Sequence, residues 1–152
     1  MPVQRDTPYS VFNYLVELEP GQGKSPDAGF SEVSGLNAEV TMAEYRAGNA
    51  PVNYVTKVPG LNKAGDVTLK RGIIGAQNLW EWLEKVRDGQ LSEAKRDIVV
   101  KLLSEDRSDT VVSWKLRGAT LMKWTGPSLT AKGGNDVAIE EMVLSVEYIE
   151  QE

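Results

Sequence analysis

The sequence predicts a mainly β fold: a β-sandwich or open barrel of antiparallel strands, flanked by one α-helix and carrying one extended loop. Three observations predict it. Apolar and polar residues alternate in several short runs, the pattern of half-buried strands. A single stretch switches to a helical period. Clusters of Gly, Pro, Asn and Asp separate the runs, as turns require. Many strands with one helix argue for a packed sheet with the helix on its side.

The elements follow in order. Val11–Glu19 places Phe12, Tyr14, Val16 and Leu18 on one face, and Pro20–Gly29 reads as a loop. Phe30–Val33 is a short strand closed by Ser34 and Gly35. Asn37–Arg46 is extended, with Val40 and Met42 on one side and Thr41, Ala43 and Tyr45 on the other. Residues 46–65 contain Gly48, Asn49, Pro51, Pro59, Gly60, Asn62 and Gly65, and are predicted to form an extended loop. They also hold Val52, Tyr54, Val55, Val58 and Leu61, which a solvated linker does not need. Long loops in compact domains are usually functional or disordered, and the apolar content of this one favours an arm that packs on something. Asp66–Arg71 alternates Val67 and Leu69 against Thr68 and Lys70, and Gly72 ends it. Lys63, Lys70 and Arg71 read as its polar residues, with pairing to acidic groups of another subunit as the alternative.

The helix is expected at about 76–88. Ala76, Leu79, Trp80, Leu83 and Val86 recur at three- and four-residue steps, so Leu79, Trp80 and Leu83 are predicted to pack on the sheet, with Trp82 off the stripe. Gly89 stops the helix. Asp97–Ser104 is apolar on both faces and reads as a central strand. Thr110–Trp124 puts Val112, Trp114 and Leu116 on one face, and Gly118 marks a bend or bulge. Asp136–Ile149 closes the set. Met142, Leu144, Val146 and Tyr148 form a core face, and a bulge near Glu140 is expected to bring Val137 and Ile139 onto it.

Composition narrows the function. A chain of 152 residues suits one domain, 1–152, with 1–10 as an N-terminal extension. There is no Cys and no His, which removes disulfides, thiolate nucleophiles, Cys/His metal sites and a Ser-His-Asp triad. The acidic pairs Glu105-Asp106 and Glu140-Glu141 do not converge, because neighbours on a strand face opposite ways. No glycine cluster forms a phosphate-binding loop. No catalytic residue, cofactor or metal site is therefore expected, and the chain is not read as an enzyme. A net charge of -5 is a poor match for general nucleic-acid binding. No apolar run is long enough to span a bilayer, so synthesis and assembly in the cytoplasm are expected. The four Trp residues leave a monomeric carbohydrate-type binding module as a competing reading, though it offers no account of the apolar arm.

A series of motifs points further. Phe30-Ser31-Glu32-Val33-Ser34-Gly35-Leu36 comes first, then Glu44-Tyr45-Arg46 with Gly48-Asn49. Lys57-Val58-Pro59-Gly60-Leu61 follows with Lys63 and Gly65, then Val67-Thr68-Leu69-Lys70-Arg71-Gly72 and Leu79-Trp80-Glu81-Trp82-Leu83. In this order and spacing, across about residues 11–149, the chain resembles the tail tube proteins of contractile phages and of extracellular contractile injection systems.

The resemblance implies a structural subunit that forms hexameric rings stacked head to tail into a hollow tube. Cargo, protein or DNA, passes through the lumen. It also implies a sheath protein, baseplate or hub proteins and a terminator cap as partners, and a place in a virion tail or injection particle. Tyr45, Arg46, Asn49, Val52, Tyr54, Val55, Lys57, Pro59 and Leu61 fall in the family's inter-subunit loop. Ser34, Gly35 and Leu36 form a family turn. Tube-initiator and tail-adaptor paralogues share these features, so a baseplate role is the alternative.

Overall fold

A computed structural model of the chain describes residues 4–18, 29–75 and 77–152. Residues 20–28 of the expected loop, and Ala76 of the expected helix stripe, lie outside the described residues. Among those described, nine strands form: β1 (Tyr14–Glu17), β2 (Glu32–Ser34), β3 (Ala38–Tyr45), β4 (Thr56–Ala64), β5 (Val67–Gly72), β6 (Lys95–Leu103), β7 (Thr110–Thr125), β8 (Ile139–Ser145) and β9 (Tyr148–Gln151). Two helices, α1 (Asn78–Arg87) and α2 (Leu91–Ala94), sit between β5 and β6. Seven strands make one sheet in the order β1-β6-β7-β8-β5-β2, with β9 also on β7, and β3 and β4 form a separate two-stranded ribbon. Every pairing is antiparallel. The architecture is the expected mainly β one with a flanking helix, and the sheet does not close into a barrel.

β7 organises the sheet. It pairs β6 along one edge, and β9 and then β8 along the other. Gly118 (φ 64°) supplies an extra residue between Leu116↔Ile98 and Ala119↔Arg96, the bulge its sequence position predicts. Its N–H donates to Asp97 Oδ1 at 3.2 Å. A second bulge falls at Met122, where Leu121↔Leu144 steps to Lys123↔Val143. The bulge expected near Glu140 is absent, since β5 and β8 stay in register from Gly72↔Ile139 to Val67↔Leu144. Val137 and Ile139 simply stay exposed. Tyr148 is also half exposed, because the strand breaks after Ser145 and restarts as β9.

Val16, Leu18, Val67, Leu69, Ile98, Val100, Leu116, Leu121, Met142 and Leu144 are all buried and form the core. On this same face lie two charged residues, Arg71 and Glu140. Arg71 is not on the polar side of β5, as the sequence reading has it; it continues the parity of Val67 and Leu69. Its Nε meets Glu140 Oε1 at 2.7 Å, and its Nη2 donates to Asn78 Oδ1 at 2.8 Å. Trp124 Nε1 donates to the other Glu140 oxygen at 3.1 Å. The cluster joins β5, β8, β7 and the first residue of α1. Buried charges persist only when paired and hydrogen-bonded in this way.

Helix α1 corrects the expected stripe. Leu79 and Trp82 are buried, Leu83 and Val86 pack partly buried against the core, and Trp80 is 41% exposed. At 100° per residue, the centre of Leu79, Leu83 and Val86 lies about 50–70° from Trp82 and about 90–100° from Trp80. Counting Ala76 into the stripe pulls its apparent centre toward Trp80, which is why the sequence pattern points to the wrong indole. Trp82 Nε1 donates to Ala94 O at 2.8 Å, so its polar tip is satisfied by α2. Trp80 instead lies edge-on to Trp124, 5.2 Å between ring centroids, and donates to Glu84 Oε1. Gly89 (φ 77°) ends α1 as expected.

The N-terminal segment is pinned to the β6–β7 turn. Arg5 Nη1 and Nη2 donate to Glu105 at 3.1 and 2.5 Å, while Nε and Nη2 also reach Thr7 O and Pro8 O. The hydrogen bond from Arg5 is the main reason the Glu105 carboxyl falls from its ordinary 4.5 to about 2. Asp106 in the same turn is held at about 2 by the Ser104 and Ser108 hydroxyls.

Two predictions follow from these contacts. Trp82→Ala is expected to cost about 3–5 kcal/mol in urea unfolding, and Trp80→Ala less than half of that. Equal losses would return Trp80 to the core. A carboxyl with a depressed folded value contributes above its ordinary pKa and loses that contribution as pH falls. Residues 5–10 are therefore expected to stay ordered down to about pH 4.5 and to loosen toward pH 2 in backbone NMR relaxation, with Glu105→Gln loosening them at every pH. Rigidity of the wild-type segment at pH 2 would show that Glu105 does not hold it.

Candidate assembly surface

The largest departure from the sequence reading is also the main surface feature. Residues 46–65 are not one loop. Thr56–Ala64 forms β4, which runs back along β3, and only 46–55 is a non-strand tip. The pairs Glu32↔Lys70, Val33↔Leu69 and Ser34↔Thr68 of β2–β5 continue in the same register into Ala38↔Ala64, Glu39↔Lys63 and Val40↔Asn62. The arm is thus the outer half of a long hairpin whose inner half belongs to the core sheet. At roughly 3.3 Å per residue it reaches about 25 Å beyond its base.

Two glycines shape that base. Gly35 adopts φ 86°, and a Cβ there would sit 2.2 Å from Asp66 O. A Cβ on Gly65 would meet the Asn37 side chain at 2.3 Å. The chains cross closely where the hairpin leaves the sheet, and at Gly35 only glycine permits both the approach to backbone and the left-handed conformation. Val33, Leu36 and Ala64 pack against the core and seat the base. Of the expected family turn, Gly35 and Leu36 therefore have structural work at the base of the arm, while Ser34 ends β2 with its side chain exposed.

Pro59 and Gly60 explain why β4 was hidden in the sequence. Val40↔Asn62 is followed by Met42↔Pro59, so β4 carries an extra residue at a bulge. Proline is tolerated in sheets at edges and bulges. Gly60 lets β4 approach Thr41 O, where a Cβ would lie 3.0 Å away. Across the ribbon, Glu39 faces Lys63 and Glu44 faces Lys57, opposite-charge pairs that favour this register.

The arm has no cover of its own. Every residue of β3, and every residue of β4 except Ala64, is exposed. Val40, Met42 and Pro59 lie on one side of the ribbon, and Ala43, Val58 and Tyr45 on the other. Tyr54 is 71% and Leu61 80% exposed. The structure gathers all nine expected loop residues on this ribbon and its tip. Tyr45 ends β3, Asn49, Val52, Tyr54 and Val55 form the tip, and Lys57, Pro59 and Leu61 lie on β4. Arg46 turns inward, its Nε donating to Val52 O at 3.1 Å, and so closes the tip. Leu79, Trp80 and Leu83 lie apart from the arm, on α1.

The sequence reading left three features out. Val40 and Met42 of β3 add to the apolar ribbon, and the cue for them was alternation without a polar face. A groove of about 280 Å³ lies between the arm base and β9, lined among others by Val40, Asn62, Tyr148 and Ile149. Finally, β1 and β2 end the sheet order and leave unpaired edges among the described strands, sites where another strand can add. Among the described residues no group of acidic side chains is placed to hold a metal. What the surface can do chemically is bind other chains by apolar burial and strand pairing.

Comparison with known proteins gives this surface a setting. The chain matches the model of the T4-like virus tail tube protein gp19 family over residues 10–150. It is similar to a chain in the cap of the anti-feeding prophage, a tube-terminating cap, with TM-score 0.81 and 26% identity over 100% of this chain and 95% of that one. It is also similar to chains of an extracellular contractile injection system, PVC. In the sheath-tube complex in its extended state the TM-score is 0.80 and the identity 28%, covering 97% of this chain and 93% of that one. In the sheath/tube terminator the TM-score and identity are the same, covering 97% and 98%. No curated protein sequence matches the chain.

The base geometry generates a third prediction. Gly35→Ala forces a side chain into the left-handed region against Asp66 O and is expected to cost about 1–3 kcal/mol in urea unfolding. An unchanged midpoint would show that the base of the arm is free to shift.

Proposed function

The chain belongs to the T4-like virus tail tube protein family, and from that premise we propose that it is the inner-tube subunit of a contractile injection system or phage tail. Six copies close a ring, rings stack head to tail, and cargo passes along the lumen. The sheath surrounds the tube, baseplate or hub proteins start it, and a terminator caps it. Assembly takes place in the cytoplasm. The chain is a structural component and not an enzyme.

One observation carries the reading: a two-stranded arm with apolar side chains uncovered on both sides. Isolated two-stranded ribbons are marginal in water, and large uncovered apolar surfaces mark interaction sites. A tube supplies the missing cover from neighbouring copies. Ring closure likewise pairs the free edges of β1 and β2, which would otherwise invite uncontrolled association. The similarity to a sheath-tube complex supports the same placement. A specialised subunit at a tube end is the second reading, favoured by the similarity to cap and terminator structures. It differs in copy number and position, not in chemistry.

The test is electron microscopy of the purified protein at high concentration, alone and with baseplate partners. Rings or hollow tubes are expected. Tyr54→Asp and Leu61→Asp are expected to keep wild-type circular dichroism and to lower particle counts at least tenfold, because each would bury a charge at a contact. Unfolding of either variant would place its residue in the core. Unchanged counts would remove the arm from assembly.

A further inference from the structure

The face of the large sheet that turns away from the core differs in chemistry from both the core and the arm. Its register places Lys70 between Glu32 and Glu141, and Lys115 opposite Glu150. Lys101 bonds Glu17 at 2.9 Å, and Arg117 reaches Asp97 at 3.1 Å and Glu150 at 3.3 Å. Lys95 is paired with Glu147. In every registered pair of this face, a charged residue stands opposite the other sign or an uncharged residue, never opposite its own sign. Hydroxyls lie between the charges, at Thr68, Ser113, Thr120 and Ser145. The apolar residues of the face, Leu15, Val99 and Val143, are only partly exposed. Fold stability does not account for this order, because exposed ion pairs contribute little to it.

We infer that this face is a charge-compensated wall, along which a protein cargo of either net charge moves without being held. The inference rests on the tube reading and specifies the chemistry of its lumen. Closing the free edges of β1 and β2 turns the sheet into a wall with one face in and one out. The core face is covered by α1, through Leu79 and Trp82, so a hollow tube turns the other face inward. Ring symmetry then repeats that face around one channel. A channel lined with one sign of charge focuses its field on whatever enters. Here the signs alternate at the spacing of neighbouring strands, about 5 Å. That is shorter than the roughly 8 Å over which physiological salt screens a charge, so the fields cancel close to the wall. The compensation also selects a class of cargo. DNA carries about one charge per 1.7 Å, and a wall that repels it along its whole length has to be acidic throughout. Cations in weak exposed pairs offer DNA footholds instead. A polypeptide carries both signs at lower density and gains little by exchanging one such pair for another.

The sequence contains no cysteine, so a single thiol placed on the wall reports its potential. Ser113→Cys stands opposite Lys101 on this face, and Leu91→Cys, exposed on α2, serves as the outer control. Assembled tubes are treated at low ionic strength with a cationic and an anionic methanethiosulfonate of similar size, and with maleimide-coupled ferritin, which is too wide to enter. Ferritin is expected to modify Leu91→Cys throughout the tubes, but Ser113→Cys extensively only in free subunits. The two small reagents are expected to modify Ser113→Cys with a rate ratio within threefold of that on an uncharged thiol. Glu17→Gln leaves Lys101 without that carboxylate and is expected to shift the ratio at least threefold toward the anionic reagent. A dye on the same cysteine is expected to be quenched equally by quencher-bearing peptides of opposite net charge, and to recover on dilution. A larger preference for the cationic reagent would show an acidic lumen of the kind that suits DNA and would overturn the inference. A larger preference for the anionic reagent, no shift with Glu17→Gln, or quenching by one peptide that persists after dilution would overturn it as well. So would extensive modification of Ser113→Cys by ferritin in intact tubes, which places the face outside. Each of these leaves the tube reading standing, whereas wild-type protein that forms neither rings nor tubes, alone or with baseplate partners, would remove both.

Discussion

A two-stranded ribbon with both faces in water cannot hold itself together, and this constraint governs the rest of the molecule. Backbone pairing alone leaves β3 and β4 marginal. The chain compensates by making the ribbon the extension of a buried hairpin. Because β2 and β5 keep the same register as β3 and β4, pairing that is secured in the core carries outward. Gly35 and Gly65 allow the two chains to cross at the exit. The Glu39–Lys63 and Glu44–Lys57 positions favour the register further along, and Arg46 ties the tip. Each device orders the arm without burying its apolar side chains. Those remain available to another chain.

An arm of that length needs a stiff mount, and the buried Arg71–Glu140 pair supplies direction there. A buried ion pair adds little net stability compared with an apolar replacement, but its geometry is specific. Arg71 lies two residues beyond Leu69 on the core face of β5, the strand that continues the arm. Through Glu140 and Asn78 it fixes β5 to β8 and to the start of α1, and Trp124 brings in β7. A purely apolar contact would tolerate small slips of β5 along β8. A guanidinium bonded at 2.7 and 2.8 Å to two different elements tolerates fewer.

The parts of the fold that were legible in the sequence are those with one wet and one dry face. Val67 and Leu69 on β5, or Met142 and Leu144 on β8, alternate cleanly because the sheet demands it. The ribbon lacks that contrast: both faces are exposed, its apolar residues follow no single parity, and Pro59 and Gly60 look like loop punctuation until a bulge accommodates them. The reading of Arg71 differs from the structure for a related reason, since charge on a strand is taken as solvent-facing unless a partner is visible. The partner was on a strand about seventy residues away. Trp80 and Trp82 flank one stripe, and sequence periodicity alone does not choose between them. The functional reading came from ordered motifs and not from any site chemistry, because an interface made of apolar side chains has no diagnostic residue type.

The charge of the chain takes on a different meaning once the pairs are placed. A net charge of -5 suggests an acidic surface. On the sheet face away from the core, however, acids and bases sit side by side. Lys101 pairs with Glu17, Arg117 lies between Asp97 and Glu150, and Lys70 meets Glu32. Exposed pairs of this kind contribute little to folding. Their consequence lies in association. Copies of one chain approach each other carrying identical fields, so any patch of single sign repels itself. In the proposed tube, a locally neutral sheet face would remove that repulsion where like subunits crowd together. Apolar contacts at the arm and hydrogen bonds at the free edges would then be left to decide how the copies fit.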